Sequence, residues 1–366
     1  MEDNNTTTEQ NSNEINAGSM LNTIPRRSEI VFLMDAIDCN PNGDPSSPTN
    51  MPRIDTKTDQ GIITPPRLKR YLRDELHANS ENVYIANIRK SNGDSPTRSY
   101  LAKRISDSAG IADIIKDEDN DEYEMSVKEA VDAFLDHAID ARLFGATFSL
   151  DTDSETNVEQ FLSDRLPSKT GAVQFAPGKT IHPVELNETY DSLTSVIATG
   201  DDKDQGGYQL SDKRIKYGLF RFNGVVDPNR ARDTRMTVED LEMLDDTLWN
   251  SIKNQTTTAS KYGQEPLLYC RVEYNSGETG IARLGDYLTL AEDKMNTPVE
   301  EIRKTQEVIV DMTGFLDAIE YNNDSINTVH LKLAHILQAA NGDEIGRGDE
   351  IISWIESAAD APVNQI

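Results

Sequence analysis

The stretch RIDTKTDQGIITPPRLKRYLR, Arg53–Arg73, decides how the fold begins. Thr64 and the two prolines behind it predict a helix start, because proline suits a first turn whose N–H groups lack helical partners. Apolar residues then recur at helical spacing and predict one buried stripe: Leu68, Tyr71, Leu72 and Leu76. Four basic residues lie off that stripe: Arg67, Lys69, Arg70 and Arg73. On this stretch alone, they are compatible with either a solvated charged face or an anion-binding surface.

The basic cluster stands out because the chain as a whole is strongly acidic. Its 366 residues include 36 Lys and Arg against 64 Asp and Glu, a formal net charge of −28. Met51–Arg104 has 11 basic and 6 acidic residues, a local net charge of +5. The overall charge disfavours polyanionic partners, whereas a basic island within it indicates one anion-facing surface. The composition fits a halophilic protein, as in a haloarchaeal cytoplasm; the alternative is an ordinary acidic protein whose basic helix pairs with its neighbours.

The sequence offers no pattern typical of a metal site, a disulfide framework or a membrane span. Cys39 and Cys270 are the only cysteines and lack metal-ligand spacing. The loop from Asp38 begins like a calcium-binding EF-hand, but Thr49 stands where that loop needs a glutamate. The apolar run Ile30–Met34 is too short for a signal peptide or a membrane span. We therefore expect a soluble, cytoplasmic protein without a metal or other cofactor.

The order of apolar patterns along the chain predicts an α+β fold. Residues 1–25 are rich in Asn, Thr and Glu and predict a disordered tail. Strands are predicted over five ranges: Ser28–Asp38, Asn82–Arg89, Gly171–Pro177, Lys216–Val226 and Pro266–Tyr274. A second helix starts at Thr237, where Asp240 completes a capping box. The order of strands and helices is that of a ferredoxin-like sheet, which RNA-recognition domains use.

Two insertions between elements of the predicted sheet, and a C-terminal region after it, complete the predicted organisation. Residues 90–165 are dominated by helical patterns, and the segment between Glu185 and Asp212 has little apolar periodicity, as in a loop or a long hairpin tip. After residue 280 the pattern predicts a strand near Thr305–Met312 and a helix around Val329–Ala340.

Five stretches, spread in order over most of residues 28–280, resemble one known family. They are SEIVFLMDAIDCNPNGDP at 28–45, ARLFG at 141–145, TGAVQFAPGKTIHPVE at 170–185, YGLFRFNGVV at 217–226 and GQEPLLYCRVEYNSG at 263–277. Together with the basic helix they resemble the CRISPR-associated Cas-seven family of the RAMP superfamily, and more narrowly its type I-B backbone subunit.

The resemblance implies a modified RNA-recognition fold. Its palm would cover residues 26–280, with fingers at about 90–165, a long thumb hairpin at about 182–213, and residues 281–366 packed on the palm as an extension. Copies would oligomerise along a CRISPR RNA within an antiviral Cascade complex, beside other Cascade subunits. Target DNA would be engaged only through the guide, with no membrane involved and no catalysis by the subunit itself.

The resemblance also assigns residues that contact RNA: Asn42, Arg53, Lys69, Arg70, Gln174, Lys213 and Arg214. Such residues suit a subunit that holds any guide, because phosphate and sugar contacts carry no sequence information. Two alternatives remain open. One is a metal-dependent RNA endonuclease of the RAMP type using a loop aspartate, Asp38 or Asp44. The other is an acidic scaffold without RNA, which the absorbance ratio of the purified protein at 260 and 280 nm would distinguish.

Overall fold

A nine-stranded sheet lies at the centre of the computed structural model, which describes residues 22–43, 50–111, 127–147, 168–187, 189, 192–195, 207–210, 212–255 and 260–366. In chain order, the described strands are β1 Ser28–Cys39, β2 Gln60–Ile63, β3 Gly145–Ala146, β4 Lys169–Thr170, β5 Val173–Phe175, β6 Gly178–Pro183, β7 Leu186–Asn187, β8 Ser192–Ser195, β9 Gly207–Leu210, β10 Arg214–Val226, β11 Gln264–Tyr274, β12 Thr289–Leu290, β13 Val310–Asp311, β14 Ile326–Leu333, β15 Ala339–Asn341, β16 Glu344–Gly346 and β17 Val363–Gln365.

Eight α-helices lie within those described ranges: α1 Pro65–Ala78, α2 Arg98–Ser108, α3 Val127–Asp136, α4 Ile139–Phe144, α5 Pro228–Thr234, α6 Val238–Lys253, α7 Thr313–Tyr321 and α8 Asp349–Ala359. Short 3₁₀ turns follow β11 and α7: Leu284–Tyr287, Glu292–Lys294, Val299–Glu301, Thr305–Glu307 and Asn323–Ser325. The α+β class predicted from the sequence is confirmed. In the part of the chain that is described, no helix has the length and apolar character needed to cross a membrane.

The main sheet runs in the order β17-β14-β11-β1-β10-β6-β2, with β5 and β7 also paired to β10. Strand β1 lies antiparallel to β10, from Ser28 opposite Val226 to Cys39 opposite Ile215, and antiparallel to β11 on its other side. The outermost strands are short: β2 has four residues and β17 has three. The end of β1 therefore lies beside the starts of β10 and β11.

Both faces of this sheet are covered along β1. Ile30, Phe32 and Met34 point to one face, where they pack with the apolar stripes of α1 and α6. Val31 and Leu33 point to the other face, where they pack with apolar residues of the C-terminal region. Burial on both faces explains why β1 reads as a continuous apolar run rather than an alternating one.

Helices α2 and α3 form a separate small core within the range predicted as fingers. Leu101, Phe134 and Leu135 are among its buried members, together with Tyr84 from the segment after α1. Helix α4, which also contributes to this core, connects it to α6 and α1 through two ion pairs. Arg142 donates two hydrogen bonds of 2.7 Å to Asp240 at the start of α6, and α1 is tied to Asp140 through Arg73 at 2.8 Å. The division into palm, fingers and thumb stays a prediction.

The predicted strand at Asn82–Arg89 is wrong. Two of its backbone N–H groups donate to a side chain and not to a neighbouring strand, since Asp140 accepts from Tyr84 N at 2.5 Å and from Ile85 N at 3.2 Å. Val83 is buried in the core under α1 and Tyr84 in the small core of α2 and α3. The apolar residues of this segment therefore contact two cores, with Val83 and Tyr84 buried and Ile85 and Ile88 partly buried.

The predicted helix around Val329–Ala340 is also wrong, because strand β14 occupies its first half. Val329 and Leu331 are buried with a spacing of two, and their backbone pairs with β11 and with β17. The helices of this region are α7 and α8. Of the predicted disordered tail, residues 1–21 lie outside the described part of the chain. Its last residues are ordered: Asn22 O accepts from Val238 N at 3.0 Å and Ile24 is buried.

Candidate nucleic-acid interface

One end of the main sheet brings together the loop after β1, the start of α1 and the segment before β11. Asn42 organises this end, because its Oδ1 accepts from the backbone N of Thr64 at 2.8 Å and from the Thr64 hydroxyl at 2.9 Å. Thr64 makes no side-chain cap of its own. The Asn42 side chain thus satisfies an N–H group at the start of α1. Asn42 is buried, so its side chain serves the fold.

Three further hydrogen bonds hold the loop after β1 in place. Tyr71 donates its hydroxyl to Pro41 O at 2.7 Å, which fixes α1 against the loop. Asn40 donates through Nδ2 to Asn50 O at 2.7 Å. Arg53 donates its backbone N to Asn42 O at 3.1 Å, which places the Arg53 side chain at the same end. Basic side chains are therefore presented from a fixed backbone.

Arg67 and Lys261 form the first cationic pair of this end. The Arg67 guanidinium lies 4.3 Å from the centre of the Tyr71 ring, a cation–π contact that keeps its charge. Lys261 donates its ammonium to Asn40 O. Burial, with the nearby Arg67 charge as the second cause, lowers the pKa of Lys261 to about 8.

Lys69 follows Arg67 by two residues and points to the other side of α1, beside Gln174 of β5, which pairs with Val225 near the end of β10. Its Nζ donates to Gln174 Oε1 at 3.2 Å and lies 5.2 Å from the centre of the Phe144 ring. The Arg73 guanidinium lies 5.2 Å from the same ring. Burial, followed by repulsion from Arg73, lowers the pKa of Lys69 to about 8. Among the described residues, neither Lys69 nor Lys261 has a carboxylate within ion-pair distance.

Other basic residues are already neutralised by carboxylates of the chain. Arg70 pairs with Asp74 one turn along α1 at 2.9 Å, and Arg73 pairs with buried Asp140. Arg214 donates to the Asp212 carboxylate and, at 3.1 Å, to the carbonyl of Asp38. Among the described residues around α1, Arg67, Lys69 and Lys261 therefore carry positive charge without a carboxylate partner.

The residues predicted to contact RNA fall into two groups in the structure. Five lie around α1: Asn42, Arg53, Lys69 with Gln174 bonded to it, and Arg70. Lys213 and Arg214 lie at the start of β10. Arg214 donates a hydrogen bond to the carbonyl of Asp38, near the end of β1. As RNA contacts, all seven remain predictions.

Lys261 was missed by the sequence analysis, because it comes from a segment distant in sequence from the basic helix. A signal was available. The motif KYG directly precedes a predicted strand, and a ferredoxin-like order places that strand antiparallel to β1. The residue before such a strand must lie beside the loop that follows β1.

The endonuclease alternative depended on Asp38 and Asp44. Asp38 has a left-handed backbone conformation, with a φ angle of 46°, and its Oδ1 accepts from Asn187 Nδ2 at 2.9 Å. Asp44 lies outside the described residues. Over the ranges that are described, no group of three His, Cys, Asp or Glu side chains is arranged to hold a metal ion. The geometry thus adds nothing in favour of this alternative.

The fold and this site define a mixed α+β protein that places positive charge around α1 and the turn before β11. Residues 26–313 match the family model described as CRISPR-associated protein Cas7. The chain is 43% identical over 340 residues to CRISPR-associated protein Cas7 of Haloferax volcanii, which covers 92% of this chain and 95% of that protein. The chain therefore belongs to the Cas7 family.

Two solved structures share a more distant likeness. One is a chain of a CRISPR RNA-guided surveillance complex in a pre-nicking state, with a TM-score of 0.44, 14% identity and coverage of 91% of this chain and 100% of that chain. The other is a chain of a CRISPR RNA-guided surveillance complex, with a TM-score of 0.40, 11% identity and coverage of 91% and 98%. The family assignment rests on the sequence matches.

Proposed function

We propose that this chain is the RNA-binding backbone subunit of a type I-B Cascade complex, that its copies assemble along the guide RNA, and that it is not itself an enzyme. The observation that carries this proposal is the set of cations that α1 and the turn before β11 present. Arg67, Lys69 and Lys261 have no carboxylate partner among the described residues, in a chain with a net charge of −28. A phosphate backbone is a suitable counterion for such a group.

The topology supports a ferredoxin-like palm. The elements β1, α1, β6, β10, α6 and β11 follow one another in the chain, and the strands lie in the order β11-β1-β10-β6. This is the β-α-β-β-α-β pattern, with α1 and α6 packed in one core on the same face. Because the other face is covered by the C-terminal region, RNA would be held at the strand ends instead of on an open sheet face.

Contacts at this end are suited to a guide of any sequence. Lysine and arginine bind phosphate oxygens regardless of the base. In concentrated salt, the screening length falls to about 3 Å at 1 M, so only close contacts contribute. The same few phosphate contacts, repeated in each copy of the chain along one RNA strand, would then supply the overall affinity. This proposal includes a halophilic, haloarchaeal origin, which the acidic composition supports.

The double variant Lys69→Ala/Arg70→Ala tests the proposal. Both side chains lie off the buried stripe of α1, so we expect the melting temperature to change little. Guide retention should fall for every guide about equally, and the slope of log affinity against log salt should decrease by ~0.7 per lost contact. The measurement is the amount of guide RNA that co-purifies, together with a salt titration on single-stranded RNA.

The matched control is Arg230→Ala/Arg232→Ala, which removes the same charge from α5, where Arg230 pairs with Asp227 and Arg232 donates to Asn229. It should leave guide retention unchanged. Wild-type RNA levels in the Lys69/Arg70 variant would contradict a role for α1 in binding. Metal-dependent RNA cleavage that disappears in Asp38→Ala would contradict the non-catalytic part of the proposal.

RNA binding should also depend on pH. The pKa values of Lys69 and Lys261 are lowered to about 8, so each lysine is partly neutral at that pH. A bound phosphate favours the charged form and raises both pKa values. Binding should therefore take up protons near pH 8, and affinity should fall as the pH rises from 7 to 9.

Calorimetric titration in two buffers of different ionisation enthalpy measures this proton uptake. The variant Lys69→Arg/Lys261→Arg keeps both positive charges, but arginine does not titrate in this pH range. Its proton uptake on binding RNA should therefore be close to zero. An affinity that is constant from pH 7 to pH 9 in the wild-type chain would show that these lysines do not face the RNA.

A further inference from the structure

Tyr262 is a large aromatic residue that the fold leaves exposed at the cationic end of the sheet. Its side chain is 70% exposed, and it lies between Lys261 and Gly263 directly before β11. Single exposed aromatic residues are common on protein surfaces. What distinguishes Tyr262 is the backbone that holds it and the charges beside it.

The backbone around Tyr262 is fixed on both sides. Ser260 O accepts from Asn40 N at 2.7 Å, and Gly263 O accepts from Ile37 N at 2.7 Å. Gly263 has a φ angle of 111°, and a Cβ there would lie 2.3 Å from Ile37 O, so the turn requires glycine. Tyr262 is therefore presented by a rigid turn, which lowers the conformational entropy lost on binding.

The residue before Tyr262 belongs to the cationic pair described above. Lys261 donates to Asn40 O through its ammonium, and its carbonyl accepts from Gln264 Nε2 at 2.7 Å. The Arg67 guanidinium is close enough to Lys261 to affect its titration. An aromatic ring beside phosphate-binding cations is the arrangement by which proteins hold single-stranded nucleic acid.

A second exposed tyrosine shows the contrast. Tyr321 is 89% exposed at the end of α7, next to Glu320 in a helix without basic residues. It has the same chemistry and greater exposure, but no cation beside it in its helix. Tyr321 therefore provides a matched control for the effect of the ring alone.

We propose that Tyr262 is a stacking platform for one unpaired base of an RNA strand whose phosphates are held by Lys261 and Arg67. Stacking suits a guide of any sequence, because every base has a π-face. This inference rests on the proposed function, and it adds a base contact to a site otherwise built from phosphate contacts.

The test compares two fluorescently labelled probes of equal length with the full chain. One is ordinary single-stranded RNA, and the other is an abasic ribose-phosphate strand with the same charge. Tyr262→Ala should weaken binding of the ordinary RNA by roughly 5- to 150-fold and leave binding of the abasic strand unchanged. Tyr262→Phe should bind both probes like the wild type. Lys261→Ala should weaken both equally, and Tyr321→Ala should affect neither.

Several results would overturn the inference. An equal loss on both probes in Tyr262→Ala would mean that the residue supports the backbone instead of stacking on a base. No loss on either probe would place Tyr262 outside the site. A change in self-association of Tyr262→Ala without RNA would mark a contact between copies of the chain. If the wild-type chain binds neither probe, the proposed function itself fails, which is a different outcome from a failure of stacking alone.

Discussion

Replacing Asp245 with alanine should lower the free energy of unfolding by about 3–5 kcal/mol, because it removes the carboxylate that bonds a buried guanidinium and leaves only that of Glu273, 3.8 Å away. Asp245 of α6 accepts from Arg271 Nε at 2.8 Å and from Arg271 Nη2 at 2.6 Å, and it also accepts from the hydroxyl of Tyr269. The two charged side chains are 4% and 2% exposed. Urea denaturation at a fixed salt concentration measures the loss.

Asp246→Ala is the matched control for this prediction. Asp246 is the next residue of the same helix, but its side chain is 70% exposed and pairs with Lys332 at the surface. Its removal should cost at most about 1 kcal/mol. The paired replacement Asp245→Leu/Arg271→Met should recover most of the lost stability, since an apolar pair can replace a buried ion pair. A loss below 1 kcal/mol in Asp245→Ala would contradict the importance of this pair.

Asp35→Asn should reduce the change in the free energy of unfolding between pH 4 and pH 8 by about 4 kcal/mol. Asp35 is buried between β1 and the C-terminal region, where Thr305 donates its hydroxyl to it. Burial raises the pKa of Asp35 from 3.8 to about 7. The folded state therefore binds this proton more tightly than the unfolded state does. The resulting stability is fully present below pH 4 and is lost as the pH rises through 7.

The measurement is urea denaturation of the wild type and of Asp35→Asn across this pH range. The stability of the wild type relative to the variant should decrease steadily from pH 4 to pH 8. Asp317→Asn removes an exposed carboxylate of α7, and it should not change the pH profile. A constant difference between the wild type and Asp35→Asn would show that Asp35 stays ionised in the folded protein.

Local patterns in the sequence predicted the central elements well. The stripe of α1 is buried as expected, and Thr237 and Asp240 form the predicted capping box of α6. Strands β1, β10 and β11 begin and end within two residues of the predicted ranges. These elements were predictable because helical spacing, caps and apolar runs are encoded by residues close together in the chain.

The errors arose where contacts distant in sequence decide the outcome. Asn82–Arg89 has the composition of a strand, but Asp140 takes the hydrogen bonds that a neighbouring strand would supply. The range Val329–Ala340 was predicted as a helix, although pairing with β11 on one side and β17 on the other selects a strand for its first half. Lys261 joins the site through the antiparallel register of β11 with β1. No short window of sequence contains that information.

The short outer strands of the main sheet have a consequence for solubility in salt. A net charge of −28 keeps molecules apart in dilute buffer, but at 1 M salt that repulsion acts over only about 3 Å. Sheet edges then become the places where molecules adhere, by adding one chain's strand to another's. Strands β2 and β17, with four and three residues, offer such a template few backbone groups. Resistance to this kind of aggregation is therefore built into strand length, which salt does not screen.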